Sequence, residues 1–505
     1  MPTCRMTTIV FCASLAACTT NPYIGASQPA RPPAPPQAVC LPPQAAEAGW
    51  SASFVASCID RNGRFAGGSQ IIHLVAHKGQ LYAANGYWMD MRNPIYGRDR
   101  SPSAWSQVLR LAGADEPWTV DLELGPRHLR TELLKSVTFT QDAQGRALAA
   151  PDNLLIAATY NGAGQGVDVF VRDDDAGAWT RTRVIEGDTG LRGENNSVRA
   201  AAVYRDRVTG REQLLISVGI VGIFAGHYDP TVPGRLRWSA TPEFRSAETR
   251  ILAMTEANDS LFVSDGKKVY RRIDGAAPTY RVIADMSDEA DPNTDRATFQ
   301  SIGGIRGLSA IDGPVAGRKS LMFLWTSGKN SQGCVMRLDP RPDGSYAKVR
   351  EVCLARLISQ YLGGTPIPYV EGAYSNILEL RDPGSGEVYH VLGLEAFIPA
   401  SPAGRPSLYL TAANLRGDRG GFYAGALYAL RDGHGRWRLG EVSGRFQPGR
   451  RELVSVYTYA MSPFGGDDAQ NLYVGGYDPN NFPSTDTAWV YRISLGELLG
   501  KTGSE

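Results

Sequence analysis

One unit of sequence recurs along this chain and constrains its fold more than any other feature. Its most compact copy reads "DSLFVSDGKKVYRRIDGAAPTYRVIADM" (259–286). A strand of small residues precedes a strand with an apolar core, then one ending in a Val-Tyr-Arg-like pattern, then an outer strand. Further copies are "GQLYAANGYW", "NLLIAATYNGAGQGVDVFVRDDDAGAWTRTRVIEG", "QLLISVGIVGIFAGHYDP", "SLMFLWTSGKNSQGCVMRLDP" and "NLYVGGYDPNNFPSTDTAWVYRISL". A looser one runs from "AYSNILELRDPGSGEVYHVLGLEAFIP" to "GALYALRDGHGRWRLGEVS". The inner strands begin near His73, Lys135, Arg199, Arg250, Arg306, Tyr374 and Val454. Their spacing of roughly 50 to 80 residues fits four strands plus variable loops.

Units of this kind bury their faces on one another rather than alone. No helix-period segment of respectable length interrupts them. The reading is all-β: a seven-bladed β-propeller of four-stranded blades. Ala76, Ala200 to Ala202, Ala253, Gly307, Ser309 and Ala310 supply the small residues that crowding near a central axis requires. The last unit reaches Leu495 with three strands, so "SASFVASC" (51–58) is expected to add the fourth. That would close the ring with the N-terminal segment and remove a sheet edge. The resemblance is to the propeller superfold and nothing narrower, and such a superfold hosts enzymes and binding proteins alike.

The chain opens "MPTCRMTTIVFCASLAACTTNPY", where Arg5 precedes an uncharged apolar run from Thr7 to Ala17. That is the shape of a secretory signal, too short for a permanent membrane span. It ends in "LAAC", which resembles the bacterial lipobox of exported lipoproteins. The resemblance implies that Cys18 becomes the first mature residue and carries acyl chains. Thr19 in place of Asp implies the outer membrane. The expected organisation is a signal peptide over 1–17, a lipidated Pro-rich tether over 18–49, and one propeller domain over 50–505. The tether contains "SQPARPPAPPQAVCLPPQ", whose prolines make an extended spacer. The expected location is lipid-anchored at the outer membrane, facing periplasm or cell surface.

Four of the seven cysteines follow Cys18: Cys40, Cys58, Cys334 and Cys353. An even number in an exported chain predicts two disulfides. The Asp343–Gly344 turn sets Cys334 opposite Cys353, and Cys40 with Cys58 makes the second pair. No C-x-x-C spacing occurs, and His73 and His77 on one strand lie too far apart to share an ion. "DPNTD" (291–295) begins like a calcium loop but has Arg296 where glycine should turn the chain. "NGAGQG" (161–166) leads into a strand rather than a helix. No metal and no cofactor are expected.

With 52 basic and 51 acidic residues, the net charge of +1 gives no general pull toward nucleic acid. Any charge preference is local, and the inner strands supply one. Lys135, Arg199, Arg250 and Arg306, with His73 and Tyr374 at equivalent places, are expected to ring the channel mouth and favour an anion there. Glu132, Glu194, Glu248 and Glu371 lie close ahead of these positions and offer the competing reading of structural pairs. Loops including 86–105, 126–132, 361–374, 395–425 and 476–488 should reach the same face. They bring Tyr87, Trp88, Tyr96, Tyr361, Tyr369 and Tyr477, whose flat faces and polar rims suit a sugar. Acid–base candidates there are Asp90, Glu132, Glu194, Glu371, Glu395, His128 and Asp478. The expected ligand-binding set is Lys135, Arg199, Arg250, Arg306, His73, Tyr374, Trp88, His128 and Glu371. The function expected is that of a monomeric, membrane-anchored binder of an anionic or carbohydrate ligand, or of a protein partner. The alternative is a polysaccharide lyase or glycoside hydrolase on the same face.

Overall fold

The computed structural model describes residues 38–500 apart from 46–47, 89, 91, 93–104, 126–127, 162–164, 192, 247–249, 293, 295–302, 329, 373–376, 399–421, 443–452 and 478–485. Cys18, Tyr96, Glu248, Tyr374 and Asp478 lie outside the described residues.

The chain enters through β1 (Ala38–Val39), β2 (Gln44–Ala45), β3 (Ser51–Val55), β4 (Cys58–Ile59) and β5 (Phe65–Ala66). Antiparallel runs of four strands follow. They are β6 (Gln70–His77), β7 (Gln80–Gly86), β8 (Gln107–Leu111) and β9 (Thr119–Glu123); then β10 (His128–Gln141), β11 (Ala147–Asn161), β12 (Gln165–Asp173) and β13 (Ala178–Asp188). Next are β14 (Val198–Arg205), β15 (Glu212–Val218), β16 (Gly222–Tyr228) and β17 (Leu236–Trp238), and then β18 (Ala253–Ala257), β19 (Ser260–Ser264), β20 (Lys268–Ile273) and β21 (Thr279–Asp285). β22 (Gly304–Asp312), β23 (Lys319–Thr326), β24 (Cys334–Pro340) and β25 (Tyr346–Cys353) repeat the pattern. In the following sheet β26 (Tyr369–Gly372) and β27 (Leu378–Arg381) pair with β28 (Val388–Ile398), as do β29 (Phe422–Ala424) and β30 (Leu427–Arg431), and β31 (Trp437–Glu441) completes it. β32 (Ser455–Met461), β33 (Asn471–Tyr477) and β34 (Trp489–Ser494) end the series. There β3 lies antiparallel on β34 with Ser51 opposite Arg492, so "SASFVASC" does supply a strand to the last unit.

The strand chemistry follows position. All seven residues of β15 are buried, because neighbours cover both of its faces. In the outer strand β21 most positions are partly or fully exposed, which is why charged and polar residues interrupt it. Apolar clusters fill the space between consecutive sheets. Leu154, Ile156 and Val169 meet Leu214, Ile216 and Phe224, while Phe262 and Val269 meet Leu321 and Phe323. The last sheet meets the first through Val490, Tyr473, Ile71 and Leu109. Each such fully buried aliphatic side chain contributes about 1.5–3 kcal/mol. First strands also touch in succession, β6 with β10, β10 with β14, β14 with β18 and β18 with β22, and β32 touches both β28 of the sixth sheet and β6.

Arginines on third strands tie sheets together further out. Arg172 on β12 reaches Asp121 of the preceding sheet at 2.9 Å and Asp174 at 2.7 Å. Arg272 on β20 reaches Asp206 and Asp274 at 2.7 Å and Glu243 at 3.0 Å. Arg431 on β30 reaches Glu351 on β25 at 2.6 Å, and Arg492 on β34 reaches Asp468 at 2.8 Å and Asp115 at 3.2 Å. In these four units an arginine of the third strand is therefore a sheet-to-sheet clamp, whereas Arg337 on β24 bonds Asp339 and Glu351 of its own sheet.

Both expected disulfides are present, Cys40–Cys58 and Cys334–Cys353, the latter between directly opposed residues of β24 and β25. Two expectations need correction. A helix, Leu354–Tyr361, follows β25 and buries Leu354, Ala355 and Ile358. Eight residues are too few for a helical period to stand out. The stretch from His128 to Glu132 is strand rather than loop, so Lys135 lies in the middle of β10 and not at its head.

Candidate functional site

At one level, first strands carry one residue more than their partners. The register shifts lie between Ile71 and His73 in β6, Arg130 and Leu133 in β10, and Val198 and Ala201 in β14. They recur between Arg306 and Ser309 in β22 and between Val456 and Thr458 in β32. A bulge re-aims side chains and takes backbone groups out of the ladder. In β22 it explains the glycine after Arg306: Gly307 sits at φ 70°, where other residues are strained.

Neighbouring strands take up polar groups at this level. His73 Nε2 donates to the Glu132 carbonyl at 2.7 Å, and Lys135 Nζ donates to the Ala201 carbonyl at 2.5 Å. A carbonyl only accepts, so Nε2 carries the His73 proton. The Leu74 amide donates to Thr458 Oγ1 at 2.8 Å, and the Ile377 amide to Ser309 Oγ at 2.8 Å.

A polar layer occupies the entry ends of these strands. Glu132 lies between Arg130, whose Nη2 donates to Oε1, and Arg199, whose Nε is 3.1 Å from Oε2. Burial pushes the Glu132 carboxyl up, but Arg130, Arg199 and Arg250 outweigh it and bring the pKa down to about 2. Arg130 is seated by Gly86, where a Cβ would lie 2.4 Å from its Cγ. Its guanidinium stands 4.8 Å from the Trp88 ring centre and 5.6 Å from that of Tyr160. Farther round, Arg306 Nη2 is 2.5 Å from Glu371 Oε1.

Glu371 faces Glu395 directly across the β26–β28 pair, and both are buried. Burial, then the Glu371 charge, push the Glu395 carboxyl up to about 8, against hydrogen bonds from Ser455 and Tyr477. Tyr477 OH donates to Glu395 Oε2 at 2.8 Å, Ser455 Oγ donates to the same oxygen, and Tyr457 OH donates to Tyr477 OH at 3.2 Å. Gln70, paired with Tyr477 through the backbone, is fully buried, and neither end of its side-chain amide has a hydrogen-bond partner among the described residues.

Beneath this layer is a cavity of about 250 Å³ lined by residues of β6, β10, β14, β18, β27 and β32. Most of its lining residues are apolar, with Val75, Leu134, Leu252, Met254, Ile377 and Tyr459 among them, while polar groups supply nearly half of its surface. Its titratable nitrogen groups are His73, Lys135 and Arg199, and no carboxylate lines it. Burial lowers the His73 pKa to about 4, against the pull of Glu132, and lowers Lys135 to about 8. Surface on Lys135 stays accessible, as expected for a side chain bordering an internal space.

Of the expected ligand set, the structure brings His73, Lys135 and Arg199 together at the cavity. Arg250 acts on Glu132 from the adjoining strand entry, while Arg306 and Glu371 pair with each other. Trp88 packs against Tyr160 with ring centres 6.0 Å apart, and His128 Nδ1 bonds Thr159 Oγ1 at 2.7 Å. Tyr361 lies elsewhere, donating to Glu441 Oε2 at 3.0 Å. His77 joins Ser136 at 2.9 Å and Asp174 at 3.1 Å within the clamp that contains Arg172. Sequence reasoning missed Arg130, Gln70 and Ser455. Arg130 is two residues from Glu132 on one strand, a spacing that puts both on one face, and this signal was readable. Among the described residues no cluster of three His, Cys, Asp or Glu is placed to hold a metal ion, and no helix is long and apolar enough to cross a membrane.

No protein-family model and no curated protein matches the chain. Solved structures similar to it include the extracellular domain of BT4673 from B. thetaiotaomicron, at 10% identity and TM-score 0.39 over 84% of this chain. This chain spans only 38% of that one. The α-L-arabinofuranosidase Arb93A from Fusarium graminearum matches at 12% identity and TM-score 0.37, over 85% of this chain and 94% of that one. A gluconolactonase from Xanthomonas campestris, XC5397, matches at 13% and 0.35, over 92% and 99%. Likenesses at this level assign neither family nor activity.

Proposed function

We propose that this protein is an exported, lipid-anchored binding protein whose sheets form a seven-bladed β-propeller closed by β3, and that it takes a small anionic ligand, such as an acidic sugar, in the axial cavity. The observation that carries this reading is the cavity lining: three nitrogen-bearing side chains, no carboxylate, and mostly apolar residues around them. In such a space a carboxylate meets Arg199 and Lys135 with little competition from water, where charge-assisted hydrogen bonds are strong. The polar layer above adds hydroxyl partners in Ser455, Tyr457 and Tyr477, and Gln70 supplies unmet donors and an acceptor. The two disulfides support export. The anchor at Cys18 rests on the leader alone, and Cys18→Ser should release the protein from the membrane fraction.

Titration calorimetry with glucuronate, galacturonate, glucose and sulfate tests the binding reading. Uronates should bind at least about tenfold tighter than glucose and weaken as salt rises. Equal binding of glucose and glucuronate, or none of either, overturns it.

A second reading, a lyase or glycoside hydrolase on the same face, is favoured by one observation: the Glu371–Glu395 pair, one of whose members holds a proton near neutrality. Hydrogen-bonded carboxyls are closer than the roughly 5–9 Å of two-carboxylate glycosidases. Acid–base work beside Tyr477 is the form this reading takes, and release of unsaturated products from polyuronates is its test.

A further inference from the structure

We propose that the axial cavity takes a small carboxylate that also bears a ketone or aldehyde, with Arg199 holding the carboxylate and the Lys135 amine condensing with the carbonyl carbon to form an imine. This rests on the anion-binding reading of the same cavity and adds a covalent step to it.

The placement of Lys135 motivates the step. Lysine side chains are ordinarily solvated ammonium groups, charged and without a lone pair to attack with. Lys135 instead stands in the middle of β10 on a cavity walled by Leu134, Leu252, Met254 and Tyr459. Its Nζ donates to the Ala201 carbonyl, a neutral acceptor, and no carboxylate borders the cavity to hold it charged. Burial therefore brings the pKa down to about 8, which leaves a working fraction of free amine at neutral pH, far above that of a solvated lysine. An amine engaged by one N–H keeps its lone pair for a carbonyl carbon. Desolvation in an apolar pocket is a setting that activates lysine as a nucleophile. Burial alone lowers the Lys135 pKa, while Arg199, which also pairs with Glu132 at 3.1 Å, lines the same cavity.

The balance is simple. The nitrogen lone pair forms the C–N bond, the carbonyl oxygen departs as water with the two amine protons, and a C=N bond remains. No oxidant or reductant is consumed. The cavity's size restricts the partner to a small molecule, and its single guanidinium favours one carboxylate rather than two.

Pyruvate and lactate separate this step from binding, since lactate has the carboxylate but no carbonyl. The full exported chain is incubated with pyruvate at neutral pH, treated with cyanoborohydride, and mapped by peptide mass spectrometry. The reduced adduct should concentrate at Lys135, and saturating lactate should lower its yield there by about tenfold or more. Lys135→Arg should abolish that adduct, with circular dichroism to verify its fold. Lactate protection in the parent protein carries the test if the variant does not fold. Calorimetric binding of both acids with no Lys135 adduct overturns the imine and leaves the anion reading standing. Binding of neither acid, with no adduct, overturns the imine, and the glucuronate titration then decides the anion reading by itself. Adducts spread evenly over surface lysines, indifferent to lactate, overturn the imine as well.

Discussion

Arginines recur on the first and on the third strands, and the Glu132 cluster of the first differs in its proportions from the Arg272 and Arg172 clusters of the third. Toward the periphery, carboxylates outnumber the cation: Arg272 alone reaches Asp206, Glu243 and Asp274, and Arg172 reaches Asp121 and Asp174. At the entry ends of β10 and β14 the carboxylate is shared. Glu132 answers to Arg130 and Arg199 and is felt by Arg250. Repetition of a residue type down a chain is thus no guide to its task. The local ratio of charges is, because an arginine surrounded by carboxylates is already spoken for, whereas a shared carboxylate leaves a region that attracts anions.

The largest effects should come from breaking one member of each set. Arg272→Met leaves Asp206 buried without its cation and should cost about 3–5 kcal/mol in urea unfolding, with glucuronate affinity of the folded fraction unchanged. Glu132→Gln should destabilise to a similar degree but tighten glucuronate severalfold. If both variants change stability alone, the Glu132 cluster is structural like the Arg272 one.

Next in size is the disulfide between Cys334 and Cys353. It closes a loop with a sequence separation of 19, and the double serine variant should lose about 3 kcal/mol without changing affinity.

Glu395 and Glu132 should also set the pH dependence of stability. Glu395 keeps a proton in the folded state between its ordinary value of 4.5 and about 8. The unfolded chain has released it there, so this group's contribution falls as pH rises through that window, by at most about 1.4 kcal/mol per unit. Glu132 works the other way: its contribution is present above 4.5 and lost as pH falls toward 2. Glu395→Gln should flatten the alkaline limb of a melting-temperature profile and leave the acid limb. An unchanged alkaline limb would remove the proton from the Glu371–Glu395 pair.

The smallest effect belongs to an exposed pair. Arg207 meets Glu256 at 2.6 Å with both side chains more than 40% exposed, so Arg207→Ala should cost no more than about 1 kcal/mol and fade at high salt.

Much of this was readable in the residues. The strand units, the Asp343–Gly344 hairpin with its cysteines, and the strand at Ser51–Val55 all have local signals: alternation, turn chemistry, an unpartnered edge. The competing reading of glutamates as partners of the cations also has its counterpart in Arg199–Glu132 and Arg306–Glu371. What escaped was register. Bulges leave no residue signature except in β22, where Gly307 marks one, and they decide that Lys135 turns to a cavity while Arg130 and Glu132 take the strand entry. The Glu371–Glu395 contact arises from which residues of β26 and β28 fall opposite, and a shift of one place would have sent them to different faces.

The pairing of β3 with β34 has a consequence for the order of events during synthesis. A strand made early is completed late: Phe54 and Trp50 leave the ribosome long before Trp489 and Val490, against which β3 is laid. Until then the nascent chain carries an open strand edge and apolar side chains without their cover, and this most distant of contacts is the slowest kind to form. Any truncation that removes β34 therefore strips β3 of its partner as well.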